Sequence, residues 1–350
     1  MTRSTLSHRA RLAAALMAAA TIACTPPARA AGQEVNVYSA RKEELIAPLL
    51  ERFTAATGIA VNLVTGDADG LLKRLELEGK ASPADVFITV DAGRLQRAKE
   101  AGVLQPVDSA VLAGAIPPNL RDAENYWFGL SQRARPIFRA RDRVSADALS
   151  TYAALADERW EGKVCVRSSG NIYNQSLVAS MIANQGEEQT EAWARGFVRS
   201  FARPPAGGDT DQLKAAAAGV CDLAIANTYY FGRLLNSDKP GDREVAAKLA
   251  VFWPDQGAGE RGTHVNVSGA GVTVSAKHRE NAVELLEFLV SPASQAWYAE
   301  VNNEYPVVEG AKISAVLESL GDFRADDLAL NKLGENNRAA VELMDRAGWK

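Results

Sequence analysis

The sequence predicts an α/β protein of two lobes. Short β-rich runs alternate with amphipathic stretches that end in glycine, as βαβ units with a parallel sheet do. Two longer extended runs bracket a complete second α/β series, so the first lobe is expected to be discontinuous. The chain of 350 residues is long enough for two cores of ordinary domain size.

From Val35 the order is strand VNVYSA and helix EELIAPLLERFTAATG, strand IAVNLVTG and helix GLLKRLELEGK, then strand DVFITV and helix AGRLQRAKEAG. Residues 126–140, YWFGLSQRARPIFRA, form one extended run that is expected to cross between lobes. A second series follows with KVCVRSS, NQSLVASMIANQG, EAWARGFVRSFA and DQLKAAAAGVCDLAIAN. Residues 264–276, HVNVSGAGVTVSA, read as the return crossing, and helices follow it to the C-terminus. The expected division is residues 31–132 with about 270–309 in one lobe, 136–263 in the other, and 310–350 as helices packed on both. Ligands of open α/β sheets bind beyond the strands' carboxyl ends, so the junctions after Tyr38, Val64 and Ser169 are expected to face a cleft. Free helix N-termini there favour an anion.

The N-terminus carries Arg3, Arg9 and Arg11, an apolar stretch, and Ala28-Arg29-Ala30, the pattern of a secretory signal peptide cleaved after Ala30. A lipoprotein signal would instead use Cys24, but Thr21-Ile22-Ala23 before it lacks the Leu-like residue such signals carry. Removing residues 1–30 takes away four arginines and no acids, leaving 35 basic against 43 acidic residues and a net charge near −8. An acidic surface argues against nucleic acid as a partner. Cleavage also leaves Cys165 and Cys221, an even pair in an exported chain, for which a disulfide is expected.

Each of these cysteines precedes a tyrosine by eight residues, Tyr173 and Tyr229, and Tyr230 follows directly. A disulfide holds its Cα atoms within roughly 7 Å, so segments running from it to one sheet edge would bring the tyrosines together. Three phenolates are hard anionic oxygen donors suited to Fe³⁺, and a bound metal deprotonates a ligand whose free pKa is about 10. Taken singly, a tyrosine is more often a core or rim residue, and a strand would point Tyr229 and Tyr230 to opposite faces. The pair serves one site only from a turn or a helix start, which Asn227-Thr228 and Gly232 permit.

The stretches VYSAR (37–41), SPADVFITVDAGRL (82–95), WFGLSQRARPIF (127–138), GKVCVRSSGNIYNQSL (162–177), GVCDLAIANTYYFG (219–232), GTHVNVSGAG (262–271) and NNEYPV (302–307) resemble the periplasmic ferric-ion-binding proteins of bacterial ABC importers. The resemblance implies a type II periplasmic-binding fold with crossing hinge strands and Fe³⁺ held in the cleft. It also implies a periplasmic monomer that delivers its cargo to an inner-membrane permease and its ATPase. Tyr173, Tyr229 and Tyr230 match the family's iron-ligating tyrosines. Many relatives place a His-Tyr or a His after the first strand, where this chain has Lys42-Glu43. That departure resembles the subset in which a carbonate-like synergistic anion fills the remaining coordination positions, with Glu43 the fallback ligand.

Arg41 and Arg135 match arginines near the family's site, and a planar guanidinium pairs well with carbonate. Ser39 and Arg133 are weaker candidates, and taken alone each arginine reads as a surface or inter-lobe ion pair. Positive neighbours are expected to lower the phenol pKa values. Two other classes stay open. A protein of this fold for another oxyanion would use the Ser168-Ser169-Gly170-Asn171 loop, and an exported enzyme would need a motif. No GxSxG, HExxH or Walker pattern occurs. His264 and His278 read as hinge or surface residues.

Overall fold

The computed structural model describes residues 33–350, so the expected cleavage site after Ala30 and Cys24 lie outside the described residues. Ten strands form among them: β1 (Glu34–Ser39), β2 (Ala60–Thr65), β3 (Val86–Val90), β4 (Leu104–Gln105), β5 (Phe128–Ala134), β6 (Ile137–Ala140), β7 (Val164–Cys165), β8 (Leu223–Ile225), β9 (Leu249–Phe252) and β10 (Val265–Thr273). They make two sheets. One runs β2-β1-β3-β10-β4 with β5 paired to β10, and the other runs β7-β8-β6-β9.

In the first sheet β1 lies parallel to β2 and β3, as the βαβ pattern requires, while β10 enters antiparallel to β3, β4 and β5. All nine residues of β10 are buried, because elements cover both faces of this central strand. Gly269 lies at a register shift between β10 and β5, where a Cβ would stand 2.4 Å from the Phe128 carbonyl oxygen. Only glycine allows the strands to approach there.

The long extended run at 126–140 is two strands rather than one. It breaks at Arg135-Pro136, since proline donates no ladder hydrogen bond. β5 belongs to the first sheet and β6 to the second, so the chain crosses at that break and returns between β9 and β10. The fold is therefore two-lobed with crossing strands. Val35, Phe53, Phe87, Trp127 and Leu285 anchor the first core. The second sheet carries one cluster built on Trp193, Phe197 and Trp349, and another built on Phe138, Phe231 and the two cysteines. The C-terminal helix Asn337–Ala347 supplies Leu343 and Met344 to the former, and the short helix Asn331–Glu335 before it packs against Ala92–Glu100 of the first lobe and Ile172–Gln185 of the second.

The disulfide is present. Cys165 ends β7 and Cys221 lies just before β8, its parallel neighbour, with Cα atoms 5.9 Å apart. Among the described residues no helix is long and apolar enough to cross a membrane.

Candidate ferric site

Tyr229 and Tyr230 do not lie in a strand. Asn227 adopts an extended backbone and starts the helix Thr228–Leu235, so both tyrosines fall in its first turn. There adjacent side chains diverge by about 100°, and the two rings sit side by side with centroids 4.4 Å apart. Tyr173 occupies the first turn of Ile172–Gln185, and the Tyr229 hydroxyl donates to the Tyr173 oxygen at 3.1 Å. The disulfide-linked strands that precede both helices bring these two turns together.

Asp209 holds the arrangement from below. Its Oδ2 accepts from the Asn227 backbone N–H at 2.8 Å and from Arg135 at 2.9 Å, and the Asn227 side chain reaches the Tyr229 oxygen at 3.3 Å. Gly232 lets the same helix close on Asn303, where a Cβ would stand 2.8 Å from the Asn303 Cβ. Helix, crossing strand and first-lobe segment are thus locked to one another.

The three tyrosines line one cavity of about 140 Å³. From the second lobe Arg233 joins them, and from the first come Ala40, Arg41, Lys42, Leu45, Val90 and Glu304. The junctions after Tyr38 and Ser169 contribute to it as expected, whereas that after Val64 does not. Among the described residues no group of three or more His, Cys, Asp or Glu side chains could hold a metal, so phenols are the oxygen donors concentrated here.

Burial pushes the Tyr229 phenol well above its ordinary value, and proximity to the Tyr173 and Tyr230 phenols adds to this. Tyr230 is pushed up to about 12, again by burial and then by Tyr173. The expected lowering by positive neighbours is overturned for this pair. Arg133 does oppose the rise at Tyr229, but desolvation outweighs it. Both phenols therefore hold their protons at neutral pH.

The residues expected to hold an anion are placed differently from one another. Arg41 lines the cavity, yet both terminal nitrogens are bound to Glu304 at 3.1 and 3.2 Å, and its Nε has no partner. Glu304 also accepts from the Ser131 hydroxyl. Arg135 is not in the cavity wall. Its guanidinium lies behind Tyr173, bonded to Asp209, Asn227 and Asn174, because it is buried and needs acceptors. Ser39 is fully buried and accepts the Arg41 backbone N–H instead of facing the cavity. Glu43 lines a separate groove with Ala47, Leu50 and Val61. Arg133 pairs with Asp91 at 3.4 Å, and its guanidinium carbon stands 5.5 Å from the Tyr173 ring centre. His264 is buried beside Arg133 and Arg135, and His278 lies near the surface at 3.4 Å from Glu34.

Arg233, Arg167 and Glu304 were not anticipated. Arg233 follows Tyr229 and Tyr230 by four and three residues, a spacing that puts it on their helix face. Its guanidinium carbon lies 5.2 and 5.6 Å from their ring centres. Arg167 stands 5.6 Å from the Tyr173 ring and 3.5 Å from Asp209. Glu304 had no local signal, since its partner Arg41 is 263 residues away.

Two α/β lobes joined by crossing strands, with a cavity walled by both, define a binding-protein architecture. The family model of bacterial extracellular solute-binding proteins matches residues 38–296, and the chain belongs to that family, one of binding proteins and not of enzymes. It is 49% identical over 331 residues to iron uptake protein A1 of Synechocystis, covering 95% of this chain and 91% of that one. It is 30% identical over 348 residues to the Fe(3+)-binding periplasmic protein of Serratia marcescens, covering 99% and 98%. Its structure matches that of a Trichodesmium protein (IdiA, FutA) in complex with iron and citrate ligands, with a TM-score of 0.88 and 51% identity over 91% of this chain and 100% of that one.

Proposed function

We propose that this protein captures Fe³⁺ in the inter-lobe cavity through the phenolate oxygens of Tyr173, Tyr229 and Tyr230, and hands it to an inner-membrane ABC permease with its ATPase. The observation that carries the reading is the meeting of the Tyr229 and Tyr173 oxygens at 3.1 Å in a cavity that Tyr230 also lines. Three phenolates balance the trivalent charge. Among the described residues the first lobe offers no His or Tyr to the cavity, so an exogenous oxygen donor, carbonate in the simplest case, completes the coordination.

Relatives named for iron uptake and Fe(3+) binding support the reading across nearly the full chain. The N-terminal pattern supports export to the periplasm with cleavage after Ala30, and the protein acts there as a monomer. Residues 31–132 with about 270–309 move as one body and 136–263 as the other, with 310–350 packed against them. Loading the apo-protein with Fe³⁺ tests the function: a visible tyrosinate-to-iron band is expected. Its absence, with no iron retained, would refute it.

A further inference from the structure

Tyr173, Tyr229 and Tyr230 all stand on second-lobe helices, and the disulfide links the strands that precede them. Among the described residues the first lobe gives the cavity no His or Tyr, so no imidazole or phenolate of its own ties that lobe to a metal. Apart from the anion that completes the coordination, the first lobe is held over a loaded site by contacts between protein groups. One short segment makes such a contact with the tyrosine helix itself.

The segment is Asn302-Asn303-Glu304, at the end of a π-helical turn, Tyr298–Asn302. Such turns are rare and occur mostly at functional sites. Its outer two side chains are bound to the first lobe: the Asn302 amide donates to the Leu45 carbonyl oxygen at 3.1 Å, and the Glu304 carboxylate accepts from Arg41 and Ser131. Tyr305, next in the chain, exchanges two backbone hydrogen bonds of 2.7 Å with Gln132 of β5. Asn303, between them, reaches the second lobe. It takes a left-handed backbone, φ 55, which asparagine adopts more readily than most residues, and its Oδ1 accepts from the Asn236 amide at the end of the helix Thr228–Leu235 at 2.9 Å. Its side chain also covers Gly232, which follows Tyr229 by almost one helical turn. The three atoms nearest a Cβ placed on Gly232, at 2.8, 3.0 and 3.2 Å, all belong to Asn303.

We propose, resting on the tyrosinate reading, that Asn303 is a positioning residue whose grip on Gly232 and Asn236 holds the first lobe against the tyrosine helix and sets how slowly bound iron leaves. The first lobe retains the metal through this contact, not through a ligand of its own. Loosening it opens the cavity to a competitor while the three phenolates stay together, because Tyr173 meets Tyr229 within the second lobe.

The test mixes Fe³⁺-loaded protein in bicarbonate buffer with excess EDTA and times the decay of the tyrosinate band. Gly232→Ala sets a methyl group against Asn303 and should speed release about ten-fold, within the range of an overpacked contact. Alanine is the better helix former, so the substitution does not weaken the helix itself. Asn303→Gly suits the left-handed backbone, removes the hydrogen bond and should speed release about three-fold. The double variant has no Asn303 side chain for the new methyl to meet, and its release should slow to the rate of Asn303→Gly alone. Before EDTA is added, the band should match wild type in all three variants. Wild-type release rates in both single variants, or a double variant no slower than Gly232→Ala, would overturn the inference and leave the tyrosinate site standing. A band lost or shifted in the single variants would also overturn it, since the contact would then support the tyrosine set itself. No band in wild-type protein would overturn both readings.

Discussion

Tyr229 and Tyr230 serve one cavity because they open a helix, and Tyr173 joins them from the opening turn of another. Phenylalanine at either position of the pair keeps the packing and removes the donor oxygen. Tyr230→Phe and Tyr229→Phe should lose more iron affinity than the roughly 10–100-fold typical of an outer partner, and should weaken the band. The melting temperature of the iron-free protein should barely change. Wild-type affinity in both variants would end the assignment. Burial keeps the Tyr229 and Tyr230 protons on above neutral pH, so at the proposed site iron is expected to release them and its affinity to fall as pH falls. The slope, measured by competition titration, is about ten-fold per pH unit for each proton displaced. Arg41 belongs to stability as well. Arg41→Ala leaves Glu304 buried and unpaired, a change that costs about 3–5 kcal/mol. Urea denaturation of iron-free protein should show that loss, and a stability equal to wild type would contradict it.

At the scale of elements, the disulfide braces the second lobe and one junction residue ties the two lobes together. Cys165 and Cys221 close a loop with a sequence separation of 56, for which the chain-entropy model expects about 4 kcal/mol of stabilisation. Replacing both cysteines by alanine should lower the unfolding free energy, measured by urea denaturation, by that amount and loosen the meeting of Tyr173 and Tyr229. Asp91, at the end of β3, has φ 87 and caps the helix Ala92–Glu100 through Gly93. Its two oxygens also receive Asn266, Arg133 and, from the second lobe, the Ser176 hydroxyl at 2.7 Å. Ser176→Ala removes a charge-assisted hydrogen bond between lobes, worth about 1.5–3 kcal/mol. Small-angle scattering of the iron-free variant should report a larger radius than wild type, and identical curves would show that this bond does not hold the lobes.

Over the whole molecule, the acidic surface expected after cleavage surrounds a cavity whose own charges are largely cationic. Acid acts on the stability of the fold through His264, which is buried outside that cavity. Burial depresses this imidazole well below 6.5, and Arg261, Arg135 and Arg133 reinforce the effect. The unfolded chain therefore binds a proton that the folded chain refuses once pH drops below 6.5, and folding stability falls from there downward. Each pH unit costs about 1.4 kcal/mol until the folded value is reached. Between pH 7 and 5, wild type should lose stability relative to His264→Gln, in thermal unfolding of iron-free protein. A difference that does not change with pH would exclude His264 as the source.

The alternation of strand and helix, the two crossings, the cysteine pair and the three tyrosines were legible in the sequence, because each rests on local periodicity or on short spacing along the chain. Arg233 was legible in principle for the same reason, standing one helical turn after Tyr229. What only the tertiary structure decided is which charges are spent. Glu304 occupies Arg41 across 263 residues, Asp209 reaches Arg135 across 74, and Asp91 meets Ser176 across 85. A buried guanidinium must find acceptors wherever folding brings them, and no spacing along the chain announces which ones. Desolvation likewise belongs to the packed state alone, so the rise of the Tyr229 and Tyr230 phenols, against the pull of nearby arginines, was decided by how deeply the helix start is buried.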